Sequence, residues 1–194
     1  MKTQTLALAV ATVALAWVSG AGILRADSGM IGVGTWDTQA EFMDIKVTQG
    51  DKTVYAWDPA KGLDGWETYG GEWEVRDGAI CQTGEGTGVR ALLSEPFDPD
   101  YTLTLKARKT GGKEGFLILF NNHVHGTGER SWFNVGGYGN SRHVIEDRAG
   151  PIDGLDAGAK GRLALGDWHD VKIEVKSDSV ACYLDGELIQ STAK

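Results

Sequence analysis

From residue 40 onward the chain is a succession of short runs in which apolar and polar side chains alternate. Between Tyr101 and Arg108 the odd positions Tyr101, Leu103, Leu105 and Ala107 are apolar, and the even ones are Thr102, Thr104, Lys106 and Arg108. Val171 to Lys176 repeats the split. Successive side chains of a strand point to opposite faces, so each run offers one face to a core and the other to water or a ligand. The pattern predicts strands at Ala40–Val47, Thr53–Trp57, Trp73–Val75, Ala79–Thr83, Val89–Leu93 and Tyr101–Arg108. It predicts six more at Gly115–Asn121, Ser131–Val135, Arg142–Glu146, Trp168–Lys176, Ser179–Leu184 and Leu188–Gln190. Asp77-Gly78, Gly111-Gly112 and Asp185-Gly186 are hairpin dipeptides, whereas Arg148 to Gly166 reads as a long loop. About a dozen short strands with regular turns indicate an all-β fold, a two-sheet antiparallel β-sandwich or jelly roll.

The amino terminus breaks this pattern. Lys2 is followed by an apolar run from Leu6 to Val18, then by small residues at Ser19, Gly20, Ala21 and Ala26. That is the layout of a secretory signal peptide over residues 1–26, with the body at 27–194 as one domain. An uncleaved anchor is the competing reading, because Thr5 to Leu24 approaches the ~20 residues that span a bilayer. Either way the body is exported, to the medium, the periplasm or the cell surface.

Composition narrows the class further. The 28 glycines and 7 tryptophans suit a turn-rich β fold and exclude a helix bundle. With 19 Lys+Arg against 27 Asp+Glu the formal charge is −8, which disfavours a nucleic-acid partner and leaves a neutral sugar unhindered. Cys81 and Cys182 each lie in a strand-like run, and both a bridge and two buried thiols stay open.

The run Gly65-Trp66, Gly71, Trp73, Val75, Asp77-Gly78, Gln82 resembles the opening of laminin-G-like or concanavalin-like sandwiches. The stretches Tyr101–Lys109, Glu114–Phe120 and Trp132–Glu146 give a sharper match. They resemble the β-sandwich accessory domain of bacterial α-L-arabinofuranosidases of glycoside hydrolase family 51 and, more distantly, the 3-keto-disaccharide hydrolase domain. The resemblance covers nearly all of the body. Ile31–Trp36 with Phe42, Ile45 and Val47 belongs to the same pattern; two readings stay open, a permuted sandwich whose first strand fills the place of a last one, or a chain cut at Lys194 within a longer enzyme. The resemblance also implies a carbohydrate partner and, in a longer protein, a catalytic domain. The catalytic barrel of family 51 needs far more chain than is present, and the Glu-x-Asp-x-x-Glu strand of concanavalin-like glycanases does not occur.

Sugars offer an apolar C–H face and a rim of hydroxyls, so their sites pair flat aromatic rings with planar polar groups. Trp132 and Tyr138 are candidates for stacking, and Arg90, Glu114, Asn134, Asn140, Arg142 and His143 for hydrogen bonding. Alternation turns Phe133 and Val135 inward and Trp132, Asn134 and Arg90 outward. The bland alternative pairs Glu114 with Arg90 and leaves Gly136, Gly137 and Gly139 as turns only. Trp36, Trp57, Trp66, Trp73 and Trp168 are read as packing residues. His123-Val124-His125 lacks an evident third ligand for a metal. A structural calcium fits sandwiches of this type, with Asp58, Asp64 and Asp178 as oxygen donors, but no calcium-loop spacing occurs; no other cofactor is expected.

Three functions follow. The leading one is a secreted, non-catalytic domain that binds a polysaccharide or oligosaccharide. The second is part of a glycoside hydrolase, for which Glu114, Glu146 and Asp147 are the carboxylates near the candidate surface. The third is a surface adhesion domain.

Overall fold

A computed structural model of the protein describes residues 28–122 and 131–193. The first strands are β1 (Gly29–Thr35), β2 (Thr38–Gln49), β3 (Lys52–Ala56), β4 (Trp66–Tyr69), β5 (Trp73–Arg76) and β6 (Ala79–Gln82). Then come β7 (Val89–Phe97), β8 (Tyr101–Gly112), β9 (Phe116–Asn122), β10 (Ser131–Gly136) and β11 (Arg142–Asp147). The last are β12 (Gly150–Pro151), β13 (Ala159–Lys160), β14 (His169–Val175), β15 (Ser179–Leu184) and β16 (Glu187–Ala193). Sheet A has the order β12-β11-β10-β9-β1-β7-β4, with β13 beside β11; sheet B has the order β16-β15-β14-β8-β2-β6-β5, with β3 beside β2. The pairs are antiparallel and the two sheets pack as a sandwich.

Alternation governs the packing as the sequence predicts. Along β8 the residues Tyr101, Leu103, Leu105 and Ala107 are buried, and their polar neighbours are half-exposed. They meet Phe42 and Ile80 of the same sheet and Ile118, Phe120, Phe133 and Ile145 of the other in one core. Phe42 and Phe116 touch edge to face across it, with ring centroids 6.1 Å apart.

The amino-terminal strands are central. β1 lies between β9 and β7 in sheet A, and β2 between β8 and β6 in sheet B. The chain changes sheet between them at Trp36-Asp37, where Asp37 takes a positive φ of 51°. It changes sheet again after β8, and the two crossings are stitched together: Lys113 N–H donates to the Asp37 carbonyl at 2.9 Å, and Glu114 N–H to Thr38 Oγ1 at 2.9 Å.

Three expectations need correction. Gly111-Gly112 makes no hairpin, because it ends β8 in sheet B and the next strand, β9, belongs to sheet A. The predicted loop from Arg148 to Gly166 contains the two-residue strands β12 and β13, which pair with β11 at the sheet edge. β4 was hidden from a pattern reading because it is four residues long, with one buried residue, Trp66. Asp77-Gly78 and Asp185-Gly186 do turn hairpins, both residues of each at positive φ.

Cys81 and Cys182 are buried free thiols. Cys182 faces the core from β15, and Cys81 lies on β6, four strands away in the same sheet. At about 4.8 Å per strand the separation is far beyond the reach of a disulfide.

Candidate functional site

Two rows of side chains cross the outer face of sheet A, the face turned from the core. Strand register sets Tyr69, Arg90, Gly34, Leu117 and Asn134 side by side. The next row is Leu92, Gly32, Leu119, Trp132 and Glu146. Phe133 and Val135 of β10 are fully buried in the core, which turns Trp132 and Asn134 outward.

Glu146 organises one end of these rows. Its Oε2 accepts from Trp132 Nε1 at 2.7 Å and from Asn134 Nδ2 at 3.0 Å, and its Oε1 accepts from the Tyr138 hydroxyl. Glu146 is only 7% exposed, and three donors compensate its carboxylate for lost hydration. Burial, followed by the hydrogen bond and charge of Glu146, pushes the Tyr138 hydroxyl up to about 12, so it stays protonated and donates.

Tyr138 reaches Glu146 from an unusual turn. Tyr138, Gly139 and Asn140 hold φ of 56°, 70° and 59°, a left-handed turn that disfavours side chains. Four contacts hold it. Asn140 Nδ2 and Oδ1 pair with the Leu163 carbonyl and N–H, each at 2.9 Å. Gly139 N–H donates to Glu114 Oε1 at 3.1 Å, and Ser141 Oγ to the Tyr138 carbonyl at 2.7 Å. Gly137 leaves room for the Asn134 carboxamide, since a Cβ there would lie 2.2 Å from its Nδ2 and displace it. Residues in such conformations persist where surrounding contacts over-determine them.

Leu117 and Leu119 form the floor, with Leu92 packed beside them and Tyr69 and Trp132 against them. The Arg90 guanidinium lies over the Tyr69 ring at 4.5 Å. Trp36, 48% exposed, stands at the rim against Gly88. Leu117, Leu119, Arg90, Trp132 and Trp36 line a cleft of about 590 Å³ that reaches Glu114 and Tyr138 on one side and Arg148 on another. That volume lies within the range of small-molecule sites.

Of the eight residues singled out from the sequence, Arg90, Glu114, Trp132, Asn134 and Tyr138 line this cleft. The other three are placed elsewhere. Asn140 clamps Leu163. Arg142 pairs with Asp156 at 3.2 Å. His143 is 5% exposed, takes the Gly136 N–H on Nδ1 at 3.0 Å, and packs so closely on Gly161 that a Cβ there would lie 2.1 Å from Nε2. Burial, with His169 nearby, lowers the pKa of His143.

Trp36 was read as packing and is instead an exposed wall of the cleft, because it sits at the crossing between sheets. Trp57 and Trp66 are buried, as expected. The floor had a signal in the sequence: Phe116–Phe120 is apolar at every position, and a strand apolar on both faces has its second face covered or used. The His123-Val124-His125 pair lies outside the described residues. Among the described residues no group of three or more His, Cys, Asp or Glu side chains gathers where a cation could be held. Asp58 caps a turn by accepting from Ala60 N–H at 3.0 Å.

The fold and the cleft define an antiparallel β-sandwich with a ligand-sized site on the outer face of one sheet. Residues 56–194 match the family described as the 3-keto-alpha-glucoside-1,2-lyase-like domain, and the chain belongs to that family. It is 35% identical over 165 residues to an extracellular exo-alpha-L-arabinofuranosidase of Streptomyces chartreusis. The match takes in 82% of this chain and 20% of the relative, so the chain spans about a fifth of that enzyme's length. No solved structure matches it. The relationships to arabinofuranosidases and to the 3-keto-disaccharide hydrolase domain expected from the sequence are thereby shown.

Proposed function

We propose that residues 27–194 are a secreted, non-catalytic carbohydrate-binding module, released from a signal peptide at 1–26, that holds a glycan in the cleft of sheet A. The observation that carries this reading is the Glu146 cluster. A fixed carboxylate, a carboxamide and a phenol converge beside half-exposed indole and phenol rings, the combination that engages hydroxyls and C–H faces together. The lone pairs of Glu146 are largely committed to Trp132, Asn134 and Tyr138, which suits a positioning group better than a free acid or base. The relative's extracellular arabinofuranosidase title supports export, a glycan partner and a catalytic domain in a longer protein.

A second reading, an enzyme acting on glycosides, is favoured by the lyase in the family's description and by Glu114 and Glu146 on one cleft. Calorimetric titration against arabinan, arabinoxylan and levan, with product assayed in the same samples, separates the two. Binding without product, weakened about tenfold or more in Trp132→Ala and Arg90→Ala, is expected of the module. Product release abolished by Glu146→Gln or Glu114→Gln establishes the enzyme, and no binding to any glycan sinks the first reading.

A further inference from the structure

The cleft differs in polarity along its floor. Asn134, Glu146 and Tyr138 gather over β10 and β11, whereas beside β1 the floor is Leu117 and Leu119 of β9, with the Arg90 guanidinium at its edge over the Tyr69 ring. Two glycines keep that part flat. A Cβ at Gly32 would lie 2.6 Å from Leu92 Cδ2, and one at Gly34 would lie 2.6 Å from the Val89 carbonyl oxygen and 3.4 Å from Leu119 Cδ1. Leucine side chains therefore lie down across β1 where its own side chains would otherwise stand. Trp36 rises at this end as a half-exposed indole.

A sugar ring seated there would lose water from hydroxyls that leucines cannot satisfy, and each such loss weakens binding by about an order of magnitude. A flat apolar group has the opposite preference: it is favoured by leaving water for the leucine floor and by contact with the indole. The volume of about 590 Å³ holds both a sugar and such a group.

We propose that the cleft takes a sugar bearing an aromatic substituent, its hydroxyls on the Glu146 end and its aromatic ring on Leu117 and Leu119 against Trp36. This rests on the carbohydrate reading above and adds the chemical class of its ligand. The aromatic ring can be joined through the anomeric oxygen, as in an aryl glycoside, or through an ester on another hydroxyl.

The test is calorimetric titration of the purified protein with matched ligands. Methyl and phenyl glycosides of arabinofuranose, xylose and glucose form one arm. Methyl arabinofuranoside with and without a cinnamate-type ester forms the other, and phenol is the control. The expected result is an affinity about tenfold or more higher for the aromatic member of a pair. In Trp36→Ala that ratio is expected to fall to within about twofold. Trp36 is half-exposed, so its removal spares the core, and near-ultraviolet circular dichroism checks the fold. A gain in one arm alone identifies the linkage. Equal affinities within every pair overturn the inference and leave the carbohydrate reading standing. A ratio unchanged in both Trp36→Ala and Leu119→Thr, or phenol binding as tightly as its glycosides, also overturns it. Binding of no ligand defeats the carbohydrate reading itself and this inference with it.

Discussion

The two sheets share one core and differ on their outer faces. On sheet B the outward side chains of β8 and β14 are mostly threonines and charged residues, and those of β15 are Ser179, Ala181 and Tyr183. Lys106 meets Asp170 at 2.7 Å, and Lys172 meets Glu174 at 2.9 Å while lying over the Tyr183 ring. The buried carboxylate of sheet B, Glu41 on β2, faces the guanidinium groups of Arg108 and Arg76 at 2.6 and 3.4 Å, whereas Trp132, Asn134 and Tyr138 meet Glu146 as neutral donors. Sheet A buries leucines and a carboxylate on the side that folding does not require to be buried. A face that only needs solubility is built from exposed pairs of small individual worth. The leucine floor of Leu92, Leu117 and Leu119 is the departure from that economy, and it lies under the cleft.

The largest effect expected sharpens the contrast within one strand. Phe133→Ala empties a fully buried site and is expected to cost about 3–5 kcal/mol of stability in a urea melt. Trp132→Ala, its neighbour on the other face, is expected to cost much less and to remove glycan binding. Equal destabilisation by the two would make the outer face a second core and end the contrast. Glu146→Gln comes next, at about 1–3 kcal/mol, because the new amide NH₂ faces donors that have lost a charged acceptor. Retained binding in that variant would remove Glu146 from the site.

A smaller effect concerns pH. The buried His143 ring has a pKa below its ordinary 6.5. Above about pH 6.5 both folded and unfolded chains hold it neutral and it adds no pH dependence. Below that value the unfolded chain takes up a proton that the folded chain resists, so stability falls until the folded-state value is passed. Urea midpoints at pH 7 and 5 are expected to differ more in the wild type than in His143→Gln, which keeps an acceptor for Gly136 N–H. The smallest effect lies on sheet B: Glu174→Gln is expected to change stability by less than about 1 kcal/mol and binding not at all.

Much of the fold was legible because alternation is a local signal. The runs Tyr101–Arg108 and Val171–Lys176 carry their own inside and outside. The outward placement of Trp132, Asn134 and Arg90 followed from the same rule. What was not legible depends on contacts distant in sequence. Whether Gly111-Gly112 turns a hairpin or crosses between sheets is decided by Thr38 and Asp37, more than seventy residues away. Asn140, Arg142 and His143 sit in a segment of site-like composition, yet Leu163, Asp156 and Gly161 claim their side chains, and no periodicity announces those partners. Trp36 was read as packing because single tryptophans in β-sandwiches usually pack, and its place at the sheet crossing exposes it.

β1 alone joins the two halves of sheet A: β9 to β12 lie on one side of it, β7 and β4 on the other. The cleft straddles the same strand. A pull on the chain ahead of Gly29 would run along β1, across hydrogen bonds that lie perpendicular to it on both edges. Those bonds would be loaded together, in shear, and would give way together. Mechanical rupture would then part the sheet at β1 and open the cleft in one event.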